Sequence, residues 1–112
     1  MDISHEVLET GIIVVSLAGR LDAAASSAVK ATLQQLMVPE QPKLIIDLQQ
    51  VPFIDSSGLA SLVSALRLVR EKGGDIVLSG VQPQARTVFH LTMLDRVFSI
   101  HPTPNEAKQI LI

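Results

Sequence analysis

The chain has 112 residues, the length of one ordinary domain, and we expect a single domain over residues 1–112. Apolar residues make up 47% of the chain, which is enough for a core, and the net charge of −2 offers no basic face for nucleic acid. The chain has no cysteine, which excludes disulfides, thiol nucleophiles and cysteine metal sites. It also shows no signal peptide, polybasic patch or long apolar run, so we expect a cytoplasmic protein without a membrane partner.

The first third of the chain predicts a hairpin followed by a helix. Residues 3–8 form a weak strand pattern, residues 9–11 are a turn signal, and residues 12–18 are a β-branched apolar run typical of a strand covered on both faces. The short connection favours antiparallel pairing. Asp22 is placed to cap the helix that follows. The apolar face of that helix consists of Ala25, Ala28, Val29, Thr32, Leu33, Leu36 and Met37.

The middle of the chain predicts a strand, a helix and another strand. Residues 43–48 form a buried strand pattern, with Asp47 as an unusual acid near its end that we expect to face solvent. The helix after Asp55 should end at Gly73-Gly74, and residues 75–79 predict the next buried strand. One stripe of that helix carries Leu59, Leu62, Val63, Leu66 and Val69.

The last third predicts a helix, a short strand and a final helix. Pro83 suits the first turn of a helix, residues 97–100 could form a strand, and Thr103-Pro104-Asn105-Glu106 is a capping box. The whole pattern, ββαβαβαβα, indicates an α/β fold with a mixed, mostly parallel sheet of four to five strands. Strand–helix–strand units pair in parallel with right-handed crossovers, so only the first strand should be antiparallel.

Two polar stretches stand where strands lead into helices, which is where such sheets gather functional groups. They are Arg20-Leu21-Asp22 after the second strand and Asp55-Ser56-Ser57-Gly58 after the third. If those strands pair, the two stretches are neighbours in space.

The residues around these stretches argue against an enzyme. A nucleophilic serine needs a base, and none of His5, His90 and His101 lies near a strand-to-helix turn of this kind. The acids are scattered, so no metal site is expected, and no glycine-rich phosphate loop or other cofactor motif is present. We therefore predict no catalytic residue, no metal and no cofactor.

Two interpretations of the serines remain open. Ser56 or Ser57 could simply cap the helix. Alternatively a serine is acted on by another protein, with Gly58 leaving the approach unobstructed. A phosphate would add about −1.5 to −2 charges. The helix N-terminus would tolerate that charge but Asp55 would not, so phosphorylation should leave the fold standing and disrupt a docking face.

The sequence resembles the STAS-domain anti-sigma factor antagonists over nearly its whole length. Residues 51–59 (VPFIDSSGL) are similar to the signature of that family. Residues 19–22 (GRLD), 44–48 (LIIDL), 73–74 (GG) and 91–98 (LTMLDRVF) resemble its other landmarks at matching spacing. The chain departs from the family in Ala23-Ala24-Ala25, where polar residues are common, and in Met93, where glycine is common.

This resemblance implies a STAS-like fold and a partner-switching role. The unmodified protein would bind a serine kinase that is also an anti-sigma factor, and phosphorylation from ATP would end the interaction. A PP2C-type phosphatase would reverse the modification. Ser56 corresponds to the phosphorylated serine, Ser57 is its neighbour and a candidate cap, and Asp22 and Asp55 correspond to acids beside the site.

The predicted docking face joins the two turns to the exposed side of the helix. Its residues are Asp22, Asp55, Ser57, Gly58, Ser61 and Ser64. An alternative is a STAS scaffold or transporter-associated module that binds another partner without serine phosphorylation. A receiver that phosphorylates its own aspartate would need an acidic pair after an early strand, which this chain lacks. The oligomeric state stays open.

Overall fold

The fold is described from a computed structural model that describes residues 1–111. Its elements are β1 Asp2–Val7, β2 Ile13–Ala18, α1 Ala23–Leu36, β3 Lys43–Gln50, α2 Ser56–Glu71, β4 Asp75–Ser79, α3 Pro83–Leu91, a 3₁₀ turn Leu94–Arg96, β5 Ser99–His101 and α4 Pro104–Leu111.

The five strands form one sheet in the order β1-β2-β3-β4-β5. β1 pairs antiparallel with β2, and every other pairing is parallel. The predicted fold class is therefore confirmed, including the single antiparallel strand. The last strand starts two residues later than predicted, because the amide of Val97 donates to the carbonyl of Leu94 (3.0 Å) and closes the 3₁₀ turn first.

The helices cover the two faces of the sheet unequally. The main core lies between one face and α1, α2 and α3, whereas α4 packs on the other face mainly against β3, β4 and β5. The residues of the smaller core under α4 are Ile12, Ile45, Val77, Ala107 and Leu111. β3 is covered on both faces, as predicted. The same prediction is wrong for β2, where Val14 and Ser16 remain half-exposed because α4 does not extend over the hairpin.

Candidate functional site

The two polar turns meet at the carboxyl ends of β2 and β3. Leu21 and Ile54 form an isolated parallel bridge just beyond the strands. The amide of Leu21 donates to the carbonyl of Phe53 (3.0 Å), and the amide of Asp55 donates to the carbonyl of Leu21 (3.2 Å). The turns that lead into α1 and α2 are thus joined by backbone hydrogen bonds, as the sequence predicts for paired strands.

Each turn ends in an aspartate that caps its helix. Asp22 Oδ1 accepts from the amide of Ala25 (3.2 Å), and Asp55 Oδ1 accepts from the amide of Gly58 (2.9 Å). The cap predicted at Asp22 is confirmed. The suggestion that Ser56 or Ser57 caps α2 is wrong, because Asp55 fills that role and the serines are the first two residues of the helix. Such a cap contributes about 0.5–2 kcal/mol.

Gly58 permits close contact between the two turns. It is buried, and a Cβ added to it would lie 2.2 Å from the carbonyl oxygen of Leu21 and 2.8 Å from the Leu21 Cγ. The interpretation that this glycine opens the approach to a partner is wrong, since it faces Leu21 rather than solvent. Glycine is required at this position because the first turn of α2 packs directly against the turn that contains Leu21.

Ser56 and Ser57 differ in their surroundings. Ser56 is exposed, and its hydroxyl makes no hydrogen bond within residues 1–111. Ser57 is half-buried and faces the space between α1 and α2. The Ser56 hydroxyl is therefore open to solvent and, within residues 1–111, free of internal hydrogen bonds.

A polar groove, here called the serine groove, runs between α1 and α2 beside this turn. It encloses about 360 Å³ and is lined by Ser26, Ser27, Lys30, Ser57, Ala60, Ser61 and Ser64. Lys30 is its only charged lining residue. Ser64 is half-buried, as a residue at the groove wall should be. The groove thus combines hydroxyl groups with one ammonium group.

Ser61 corrects the predicted docking face. We expected it on the exposed side of α2, and that placement is wrong: Ser61 is only 4% exposed, and its hydroxyl donates to the carbonyl of Gly58 (2.7 Å). Ser26, Ser27 and Lys30 were not predicted as part of this face. All three lie off the apolar stripe of the first helix, so its periodicity could have placed them on an outward face, although not opposite α2.

Arg20 lies in the first of the two polar turns, and its side-chain contacts were not predicted. Its guanidinium carbon lies 4.0 Å from the centre of the Phe53 ring, and its Nε lies 3.8 Å from Asp22 Oδ2. Asp22 therefore caps α1 with one oxygen and faces Arg20 with the other. The arginine side chain remains 63% exposed, so the interaction with Asp22 is worth little in water, but it places a cation beside the acids.

The histidines lie apart from this site. His90 Nδ1 is 3.0 Å from Asp95 Oδ2, and His101 Nε2 is 2.7 Å from Ser99 Oγ. Among residues 1–111, no group of three or more His, Asp or Glu side chains could hold a metal ion. Within the same range, no helix has both the length and the apolar character needed to cross a bilayer.

A STAS domain model matches residues 7–107. The chain belongs to the STAS domain family. It is 33% identical over 108 residues to an anti-sigma-B factor antagonist of Listeria monocytogenes, with 95% of each chain covered. The crystal structure of an anti-sigma factor antagonist from Mycobacterium paratuberculosis superposes with a TM-score of 0.84 at 29% identity, covering 98% of this STAS chain and 94% of that one.

The fold is also shared with a protein whose structure has been solved in a phosphorylated form. The structure of the Bacillus cell fate determinant SpoIIAA in the phosphorylated form superposes with a TM-score of 0.77 at 22% identity, covering 99% of this chain and all of that one. At that identity the likeness concerns the fold alone.

Proposed function

We propose that this STAS protein is an anti-sigma factor antagonist that works by partner switching. In the unmodified state it binds a serine kinase that also acts as the anti-sigma factor, and so frees the sigma factor. The kinase transfers a phosphoryl group from ATP to Ser56, which ends the complex. The observation that carries the proposal is the exposed Ser56 hydroxyl, free of internal hydrogen bonds, at the start of a helix that Asp55 caps.

The proposed docking surface combines the turn with the serine groove. Asp22, Asp55, Ser57 and Ser64 offer side chains to the partner, and Lys30 adds a cation. Gly58 and Ser61 are buried and contribute indirectly, because their contacts set the position of the first turn of α2. A groove lined by small side chains is suited to receive a protruding segment of the kinase.

The proposed loss of partner binding on phosphorylation is electrostatic. A phosphate on Ser56 brings about −1.5 to −2 charges to a turn that already holds Asp22 and Asp55. The free amides at the start of α2 tolerate an anion, so the domain should stay folded. The changed charge acts instead on the partner, whose complementary surface fits the unmodified turn.

Reversal and location follow from the same scheme. A PP2C-type phosphatase removes the phosphate and restores binding, because an exposed phosphoserine is open to a second enzyme. Kinase, ATP and sigma factor occupy the cytoplasm, where we place this protein. In this scheme the protein is a substrate and a binding partner rather than an enzyme.

The decisive experiment is phosphorylation by the purified cognate kinase with ATP, read out by intact mass and phosphopeptide mapping. We expect one phosphate, on Ser56, and none on Ser56→Ala. Ser57→Ala is the matched control and should still be modified. Stable binding without modification would favour the scaffold or transporter-associated alternative, and phosphate confined to another residue would refute the assignment of Ser56.

A further inference from the structure

We propose that Arg20 binds the phosphate once Ser56 is phosphorylated, so that the modified turn carries its own receptor for the phosphate. This inference rests on the proposed function, because it takes the phosphorylation of Ser56 from there. The two polar turns carry one cation and two acids, which are Arg20, Asp22 and Asp55. A phosphate opposite an arginine forms charge-assisted hydrogen bonds. Of these three side chains, only the arginine can attract the added charge.

The side chain of Arg20 extends towards the segment that carries Ser56. The parallel bridge between Leu21 and Ile54 places Arg20 beside Phe53, and the guanidinium carbon lies 4.0 Å from the centre of the Phe53 ring. Ser56 follows Phe53 by three residues, so their Cα atoms are at most about 11 Å apart. Two long side chains, an arginine and a phosphoserine, therefore extend from neighbouring turns and can meet by a change of rotamer.

Arg20 is held loosely in its present position. Its side chain is 63% exposed, and its Nε lies 3.8 Å from Asp22 Oδ2, which is longer than a hydrogen bond. Asp22 accepts from the amide of Ala25 with its other oxygen, so a movement of Arg20 would leave the cap of α1 intact. A guanidinium can donate two parallel hydrogen bonds to a phosphate, and such bonds are stronger than those between neutral groups. The phosphate is therefore the better partner for Arg20.

Lys30 is the other cation beside this site, and its position makes it the weaker candidate. It lines the serine groove, whose lining within residues 1–111 includes Ser57 but not Ser56. Its ammonium group is also a point charge without the planar fork of a guanidinium. The acids of the two turns repel the phosphate whichever cation binds it, so a comparison of variants that keep both acids isolates the contribution of the cation.

Binding of the phosphate by Arg20 would change the proposed docking surface at a second point. The guanidinium would leave the half-buried Phe53 ring and expose the second carboxylate oxygen of Asp22. A partner whose surface complements the unmodified turns would then lose a cation in addition to meeting a phosphate. The same contact favours the doubly charged form of the phosphate, because a nearby opposite charge stabilises an ionised group.

The full chain with phosphoserine encoded in place of Ser56 by codon suppression tests the proposal without a kinase. Phosphorus NMR follows the second ionisation of the phosphate, whose ordinary pKa is about 6. Arg20→Gln should raise this pKa by about 0.5–1 at low salt, since the guanidinium no longer stabilises the dianion. The difference should shrink in about 1 M salt. Arg20→Lys, which keeps the charge but not the planar fork, should give an intermediate value.

Lys30→Gln is the matched control and should raise the pKa by less than Arg20→Gln does, or not at all. In the protein that keeps Arg20, the Nε–H resonance of that side chain should titrate together with the phosphate. The proposal is overturned if Arg20→Gln leaves the pKa unchanged, if Lys30→Gln raises it at least as much, or if the Arg20 resonance does not follow the phosphate.

The outcome for Arg20 is separable from the outcome for the proposed function. Failure of the cognate kinase to modify Ser56 would refute the proposed function but would not affect this titration, because the phosphoserine is encoded. Conversely, a phosphate whose pKa does not depend on Arg20 would refute the present inference and leave the proposed phosphorylation standing. Thermal melts of the unmodified variants show whether each substitution leaves the domain folded.

Discussion

Replacing Gly58 with alanine should destabilise the protein, although alanine is the better helix former. The new Cβ would lie 2.2 Å from the Leu21 carbonyl oxygen, so the two turns must separate by about 1 Å to restore an ordinary contact. Leu21 anchors both hydrogen bonds between the turns, at 3.0 and 3.2 Å, and a movement of that size breaks them. Each of these hydrogen bonds contributes about 1 kcal/mol. Their loss therefore outweighs the stabilisation of up to about 1 kcal/mol that the higher helix propensity of alanine provides.

Overpacking adds about 1–3 kcal/mol, so we expect a net loss of about 2–4 kcal/mol and a fall in melting temperature of roughly 10–15 °C. Thermal and urea unfolding followed by circular dichroism measure both quantities. Ala60→Gly is a useful comparison, because Ala60 is exposed on the same helix and this change tests helix propensity without a clash. A Gly58→Ala protein that melts at or above the wild-type temperature would refute the argument from close contact.

Three further predictions address the site and the core. Ser56→Asp should leave the thermal melt nearly unchanged while weakening kinase binding in a calorimetric titration; a collapsed melt would instead make Ser56 a structural residue. Asp55→Ala should cost about 0.5–2 kcal/mol in urea unfolding, whereas Asp55→Asn, which keeps an acceptor for the Gly58 amide, should cost less; equal losses would contradict the capping role. Ser79→Ala should increase the free energy of unfolding by about 1 kcal/mol and so raise the urea midpoint, because the fully buried Ser79 hydroxyl has no hydrogen-bond partner within residues 1–111. A lower midpoint would show that the hydroxyl has a partner.

The fold was predictable because its signals are local and agree with one another. The apolar run of β3, the cap at Asp22 and the capping box at Thr103 each specify an element without knowledge of the others. Thr103 Oγ1 does accept from the amide of Glu106 (3.3 Å). The parallel pairing then follows from the alternation of strands and helices, and it brings Asp22 next to Asp55.

The predictions that proved wrong concern residues whose surroundings depend on contacts outside the local sequence pattern. The glycine at position 58 is explained by Leu21, 37 residues earlier, so no local pattern could assign its role. Ser61 is polar and adjoins the apolar stripe, and its burial depends on an acceptor one turn earlier, the carbonyl of Gly58. The partial exposure of β2 arises from the placement of α4 at the other end of the chain. Hydrophobic periodicity identifies which face of a helix or strand is apolar, but not which other element packs on that face.

The different positions of Asp55 and Ser56 bear directly on the proposed switch. If Ser56 capped α2, its hydroxyl would be bound to a backbone amide, and phosphorylation would alter the cap. Because Asp55 accepts from the Gly58 amide, the phosphorylation that we propose for the Ser56 hydroxyl would leave the cap of α2 in place. In the proposed mechanism, stability and signalling rest on different side chains of the same turn. The two Asp55 variants and Ser56→Asp can therefore separate them: a capping defect should appear in the melt, and a signalling defect in binding alone.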